Sequence, residues 1–98
     1  MLQDYATAAA WWSRAAEQGF AKAQNNLGIA FAFGEGVPRD LVEAHKWLNL
    51  AVSRAANADV GPFTNTRNLI EKQMTPAQVA EAQRRARDWA EAFERRQK

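Results

Sequence analysis

The side chains that could do chemistry are few and scattered. His45 is the single histidine of a 98-residue chain that contains no cysteine. Biological metal sites draw several His, Cys or carboxylate ligands together, and nucleophilic catalysis needs a base beside its nucleophile. His45 has no such company, so it reads as a solvated or interface residue next to Lys46 on a helix. Asp4, Asp40, Asp59, Asp88 and the glutamates are dispersed, without a pair that suggests acid–base work. Gly34-Glu35-Gly36 has the look of a phosphate cradle. A phosphate loop, however, follows a strand and ends in Lys-Ser/Thr, and Glu35 would repel the anion. No catalytic residue, cofactor or metal site is therefore expected, and the chain reads as a non-enzyme.

Composition narrows the classes further. The length suits one domain. Hydrophobic residues make up 47%, yet mean hydropathy is −0.52, because much of the apolar count is alanine. With four Trp, five Phe and one Tyr as the large anchors, the core must rely on close helix–helix contact. A net charge of +2 is too small to suggest a nucleic-acid partner. No apolar run reaches the length of a membrane span. Asp4 stands where a signal peptide would be basic, so no signal peptide is expected and the cytoplasm is slightly favoured.

The elements show in an internal repeat. "DYATAAAWWSRAA" from Asp4 and "DLVEAHKWLNLAV" from Asp40 align at an offset of 36 residues. Asp4 matches Asp40, Ala8 matches Ala44, Trp11 matches Trp47, and Ala15 matches Ala51. These spacings place small and large apolar residues on one helical face, and an Asp suits the start of each helix. Between them, residues 22–33 carry the helical period through Ala23, Leu27, Ala30 and Phe31. Gly28 inside that helix suggests close contact with a neighbour. Gly34, Gly36, Val37 and Pro38 make the corner before Asp40.

This pattern resembles the Sel1-like repeat, a relative of the tetratricopeptide repeat. The residues that carry the resemblance are Ala23, Leu27-Gly28, Phe31, Gly34-Glu35-Gly36-Val37, Asp40, Ala44 and Trp47, with Ala15-Ala16-Glu17-Gln18-Gly19 closing the preceding unit. Phe31 stands where the family usually has Tyr. The resemblance implies an all-α fold, an α/α solenoid of antiparallel helix hairpins, acting as a scaffold or adaptor for other proteins. Residues 1–19 would be the second half of one repeat, 20–56 a complete repeat, and 57–98 a loop with C-terminal capping helices. The closing motif has drifted to Ala51-Val52-Ser53-Arg54, which suggests that the stack stops there.

The tail supports a cap. "NADVGPFTN" reads as a loop, followed by a short helix around Leu69 and Ile70. Thr75, Pro76 and Gln78 form a capping box, and Val79, Ala82, Ala86, Trp89, Ala90 and Phe93 make an apolar stripe. Arg84, Arg85, Arg87, Arg95, Arg96 and Lys98 alternate with acids, with expected pairs Glu81–Arg85 and Glu91–Arg95.

Two surfaces emerge as candidates for binding. Ile29 and Phe33 would anchor a peptide or protein on the concave face, with Lys22, Gln24 and Asn25 tuning specificity. The competing reading packs Phe33 under the C-terminal helix. The second surface is the N-terminal helix face, where Tyr5, Trp12 and one edge of Trp11 would meet water. A homodimer, or further chain, would cover it.

Overall fold

Asp4 and Asp40 begin helices, as their spacing predicts. Asp4 Oδ1 accepts from the Thr7 backbone N–H at 3.1 Å, and Asp40 Oδ1 from that of Glu43 at 3.1 Å. Each carboxylate satisfies an otherwise unpaired N–H at the positive end of a helix dipole. The computed structural model describes residues 4–97; residues 1–3 and Lys98 lie outside the described residues. Five helices follow in order: α1 Tyr5–Glu17, α2 Ala21–Phe33, α3 Leu41–Arg54, α4 Asn57–Glu71 and α5 Pro76–Gln97. The described residues form an all-α helical solenoid in which α2 packs between α1 and α3, and α3 in turn meets α4 and α5.

The Gly34-Glu35-Gly36 stretch is a corner. Gly34 closes α2 in the left-handed conformation at φ 69°, and Gly36 follows at φ 80°. A Cβ on Gly36 would run into the Tyr5 carbonyl, so the corner presses on the start of α1. Gly28 does the same for α2 and α3: a Cβ there would lie 2.7 Å from Leu48 Cγ and 3.0 Å from the Ala44 carbonyl oxygen. Glycine's helix penalty of about 1 kcal/mol is offset by this close approach. Ala16, Ala23, Leu27, Trp47, Leu50 and Ala86 form the larger core cluster. Ala32, Ala44, Leu48 and Ile70 form a second.

Three expectations need correction. First, residues 57–65 are not a loop. They begin α4, which runs unbroken through Pro62. A proline inside a helix costs about 3 kcal/mol. Contacts to α3 outweigh that here: Phe63 and Ile70 are buried, Arg67 Nη1 donates to Asn49 Oδ1 at 3.0 Å, and Glu71 accepts from His45. Beyond Arg54, α4 and α5 both pack on α3. Second, His45 is not solvated. It is 1% exposed, and its Nε2 donates to Glu71 Oε1 at 2.8 Å across the α3–α4 contact. Third, Glu91 and Arg95 form no ion pair among the described residues, whereas Arg84 bridges Glu81 and Asp88, at 2.7 and 2.9 Å.

α5 matches its expected cap. Gln78 N–H donates to Thr75 Oγ1 at 3.1 Å, and Thr75 N–H donates to Gln78 Oε1 at 2.9 Å. Its apolar stripe lies on α3, with Trp89 edge-on to Trp47 at 5.7 Å between centroids. Farther along, Trp89 Nε1 donates to Glu17 Oε1 at 2.6 Å, tying α5 to the end of α1. Among the described residues, no helix is long and apolar enough to cross a membrane.

Candidate protein-interaction surface

α2 and α4 share an orientation. Arg39, just past the end of α2, donates from Nε to the Ala32 carbonyl at 3.1 Å and from Nη2 to Gln73 Oε1, just past the end of α4, at 3.3 Å. The two C-terminal ends therefore lie side by side, and Ala32 and Ile70 pack in one cluster. One residue on from Ala32 and one residue back from Ile70 turn to the same side of the helix pair, since each residue advances about 100°. Those residues are Phe33, 68% exposed, and Leu69, 60% exposed. The opposite side of the pair belongs to α3, through Gly28 on α2 and through Arg67 and Glu71 on α4.

The expected concave-face residues divide. Phe33 is open to solvent and is not covered by α5. Lys22 is exposed, and Ile29 and Asn25 are half-buried. The Asn25 Oδ1 atom is buried without a hydrogen-bond partner. Gln24 does not belong to this surface. It is fully buried, with Nε2 donating to the Ala16 carbonyl at 3.1 Å, so it ties α2 to α1 and cannot tune a ligand. Leu69 is the residue that sequence reasoning missed. The sequence places Leu69 on a short helix with Ile70 but does not set it beside Phe33, and the two lie 36 residues apart. The Gly61-Pro62 pair concealed the helix.

The strip is basic. Lys22, Arg39 and Lys72 are exposed, and among the described residues none of them forms an ion pair. α2 contains no acidic residue. On α4, Glu71 faces α3, while Asp59 lies in the first turn, at the far end from Leu69. Glu35 is the carboxylate nearest the Phe33 end in sequence.

The α1 face is different in kind. Ala6, Thr7, Ala10, Trp11 and Arg14 line a shallow groove, and the Arg14 guanidinium lies 5.6 Å from the Trp11 ring centroid. Trp11 is 64% exposed, while its repeat partner Trp47 is 4% exposed beneath α2 and α5. Tyr5 is exposed as expected. Trp12 is not free: it packs, partly buried, on the larger core cluster.

The charged face of α5 binds itself together. Hydrogen bonds from Arg84 and Arg85 hold the Glu81 carboxyl down to about 2 from its ordinary 4.5. Arg85 also reaches Glu43 of α3 at 2.9 Å. This network runs along α5 and ties it to α3.

The geometry and the repeat agree with a comparison against known families. The Sel1 repeat model matches residues 1–20 and again 21–57. The chain belongs to the Sel1 repeat family. Sel1 repeats serve generally as protein–protein interaction modules. Over 41 residues, 42% of the chain, it is 44% identical to the rat and mouse proteins named DAP3-binding cell death enhancer 1. Over 47 residues, 48% of the chain, it is 49% identical to the chitin synthase regulator SKT5 of Malassezia restricta. The chain spans only 8% and 3% of those relatives' lengths. Among solved structures, a protective antigen of uropathogenic Escherichia coli with an SLR fold superposes on 96% of the chain, with a TM-score of 0.78 and 36% identity. The match covers 21% of that antigen.

Proposed function

We infer that this Sel1 repeat chain is a non-enzymatic scaffold that presents the open side of α2 and α4 to a peptide or protein partner. The observation that carries the reading is the exposed apolar pair Phe33 and Leu69, near the C-terminal ends of α2 and α4. Large apolar side chains at the centre of a polar surround are the common anchors of interfaces. Ile29 continues the apolar track, with Lys22 and Asn25 at its margin. The relatives' names fit a role exercised through other proteins, one as a binder of DAP3 and one as a regulator of chitin synthase. The test is selection of peptides on the immobilised protein from a displayed library. Phe33→Ala is expected to weaken the selected peptides by about 10-fold or more, the loss typical of an anchor. Unchanged affinity would remove Phe33 from the interface.

One observation favours a second reading, self-association through α1. Trp11 is exposed where its repeat partner is core, so Tyr5 and Trp11 offer a ready helix-packing face. Sedimentation velocity across a wide concentration range tests it. A mass that rises with concentration, and no longer does in Trp11→Glu, supports a homo-oligomer. A constant monomer mass refutes it.

A further inference from the structure

α3 has a third face besides those it turns to α2 and α4. Gly28 of α2 meets α3 at Ala44 and Leu48, and Arg67 and Glu71 of α4 meet it at Asn49 and His45. The third face takes α5. Arg85 pairs there with Glu43 at 2.9 Å, and Trp89 stands edge-on to Trp47 at 5.7 Å between centroids. Ala86 joins Leu50 in the larger core cluster, and Lys46 lies over the Trp47 ring at 4.2 Å. Glu43, Lys46, Trp47 and Leu50 have the spacing of one helical stripe.

The same stripe on α1 is open. Thirty-six residues earlier stand Thr7, Ala10, Trp11 and Arg14, and these four, with Ala6, line the α1 groove. The groove is therefore the counterpart, one repeat earlier, of the face that α5 covers on α3. Two exchanges change what it would hold. Thr7 replaces Glu43, and its hydroxyl donates to Asp4 Oδ2 at 2.6 Å. Arg14 replaces Leu50, so a cation stands where α5 presents Ala86, and among the described residues it forms no ion pair. We propose that the α1 groove takes an amphipathic α-helix of a partner protein, lying as α5 lies on α3. A large aromatic residue of that helix packs on Trp11, and a carboxylate three residues before it meets Arg14, as Ala86 precedes Trp89. A second copy fits less well. The α1 groove of a copy is lined by no carboxylate, and its α5 is taken up by its own α3, with Ala86 and Arg87 where the carboxylate is needed. The proposal goes beyond the reading of α2 and α4, and it competes with self-association for the α1 face.

The probe is a fluorescein-labelled peptide of residues 76–97 carrying Ala86→Glu, compared with the same peptide carrying Ala86→Gln. Glu and Gln have nearly equal helix propensity, so the two differ in charge. Binding to the whole chain is read by fluorescence anisotropy. One exposed cation–carboxylate contact is worth up to about 5-fold, so the Glu peptide should bind about 2–5-fold more tightly at low salt. That preference should fade as salt rises toward about 1 M, where the screening length falls to about 3 Å. Trp11→Ala in the protein should weaken both peptides by about 10-fold or more, the loss typical of an anchor, and Arg14→Gln should remove the preference. Both residues are exposed, so the variants keep their fold, which circular dichroism checks. The α3 face is already held by the chain's own α5 at high effective concentration, and a peptide that displaced it would ignore Trp11→Ala. Binding unchanged by Trp11→Ala, no binding by either peptide, or equal affinities at low salt overturns the proposal. So does self-association through Trp11 at the assay concentration in sedimentation velocity, because the second copy is then the occupant. Each of these results leaves the Phe33 and Leu69 reading standing, since neither residue lies on α1.

Discussion

Replacing Gly28 with alanine sets two magnitudes against each other. In an exposed helix the change would stabilise by about 1 kcal/mol, because glycine pays backbone entropy that alanine does not. At this position the new methyl would lie 2.7 Å from Leu48 Cγ and 3.0 Å from the Ala44 carbonyl oxygen. Carbon atoms in comfortable contact are about 3.5–4.0 Å apart, so the shortfall at Leu48 approaches 1 Å. Leu48 is fully buried, and the Ala44 oxygen is backbone of α3. Relief requires α2 and α3 to separate. Overpacking of this kind costs about 1–3 kcal/mol, which offsets or outweighs the helix gain and leaves a net loss of up to about 2 kcal/mol. For a domain of this size that corresponds to a fall in Tm of up to roughly 15 °C. Thermal unfolding followed by far-UV circular dichroism, with urea unfolding beside it, measures the difference. A Gly28→Ala protein that melts higher than the parent would refute the close α2–α3 approach, and with it the backing of the interaction strip.

Other outcomes follow from the same contacts. Pro62→Ala restores a backbone donor and removes a ring clash inside α4, so it should raise stability by about 1–3 kcal/mol; a lower urea midpoint would show that the ring itself is packed. Gln24→Glu buries a carboxylate beside the Ala16 carbonyl that now accepts from Nε2, and should cost several kcal/mol at neutral pH, read as a lower urea midpoint. The Glu81 carboxyl, held near 2 by Arg84 and Arg85, binds its proton less readily folded than unfolded. Its contribution is complete above about 4.5 and fades as pH falls toward about 2, so carboxyl NMR of Glu81 should show a midpoint close to 2. A midpoint near 4.5 would mean that the arginine pairs do not persist in solution.

Much of the scaffold was legible because short-range physics wrote it. The Asp4 and Asp40 caps, the Thr75–Gln78 box and the Gly34 corner each follow from a few neighbouring residues. The 36-residue offset gave the stacking. What escaped depends on long-range contact. Gly61-Pro62 reads locally as a loop, and only burial of Phe63 and Ile70 against α3 makes it helix. Gln24 looked like a surface residue until α1 closed over it. His45 found Glu71 across 26 residues of sequence. The exposed apolar pair was half visible: Phe33 announced itself on a recognisable helix, while Leu69 lies on a disguised one.

Trp11 and Trp47 carry a lesson about growth. The same residue, at the same point of the repeat, is surface in one copy and core in the next. A solenoid written in this way lengthens by duplicating a 36-residue paragraph, because each new unit arrives with its half of the joint already made. The open side of α2 and α4, which takes no part in that joint, can vary without disturbing how the units stack.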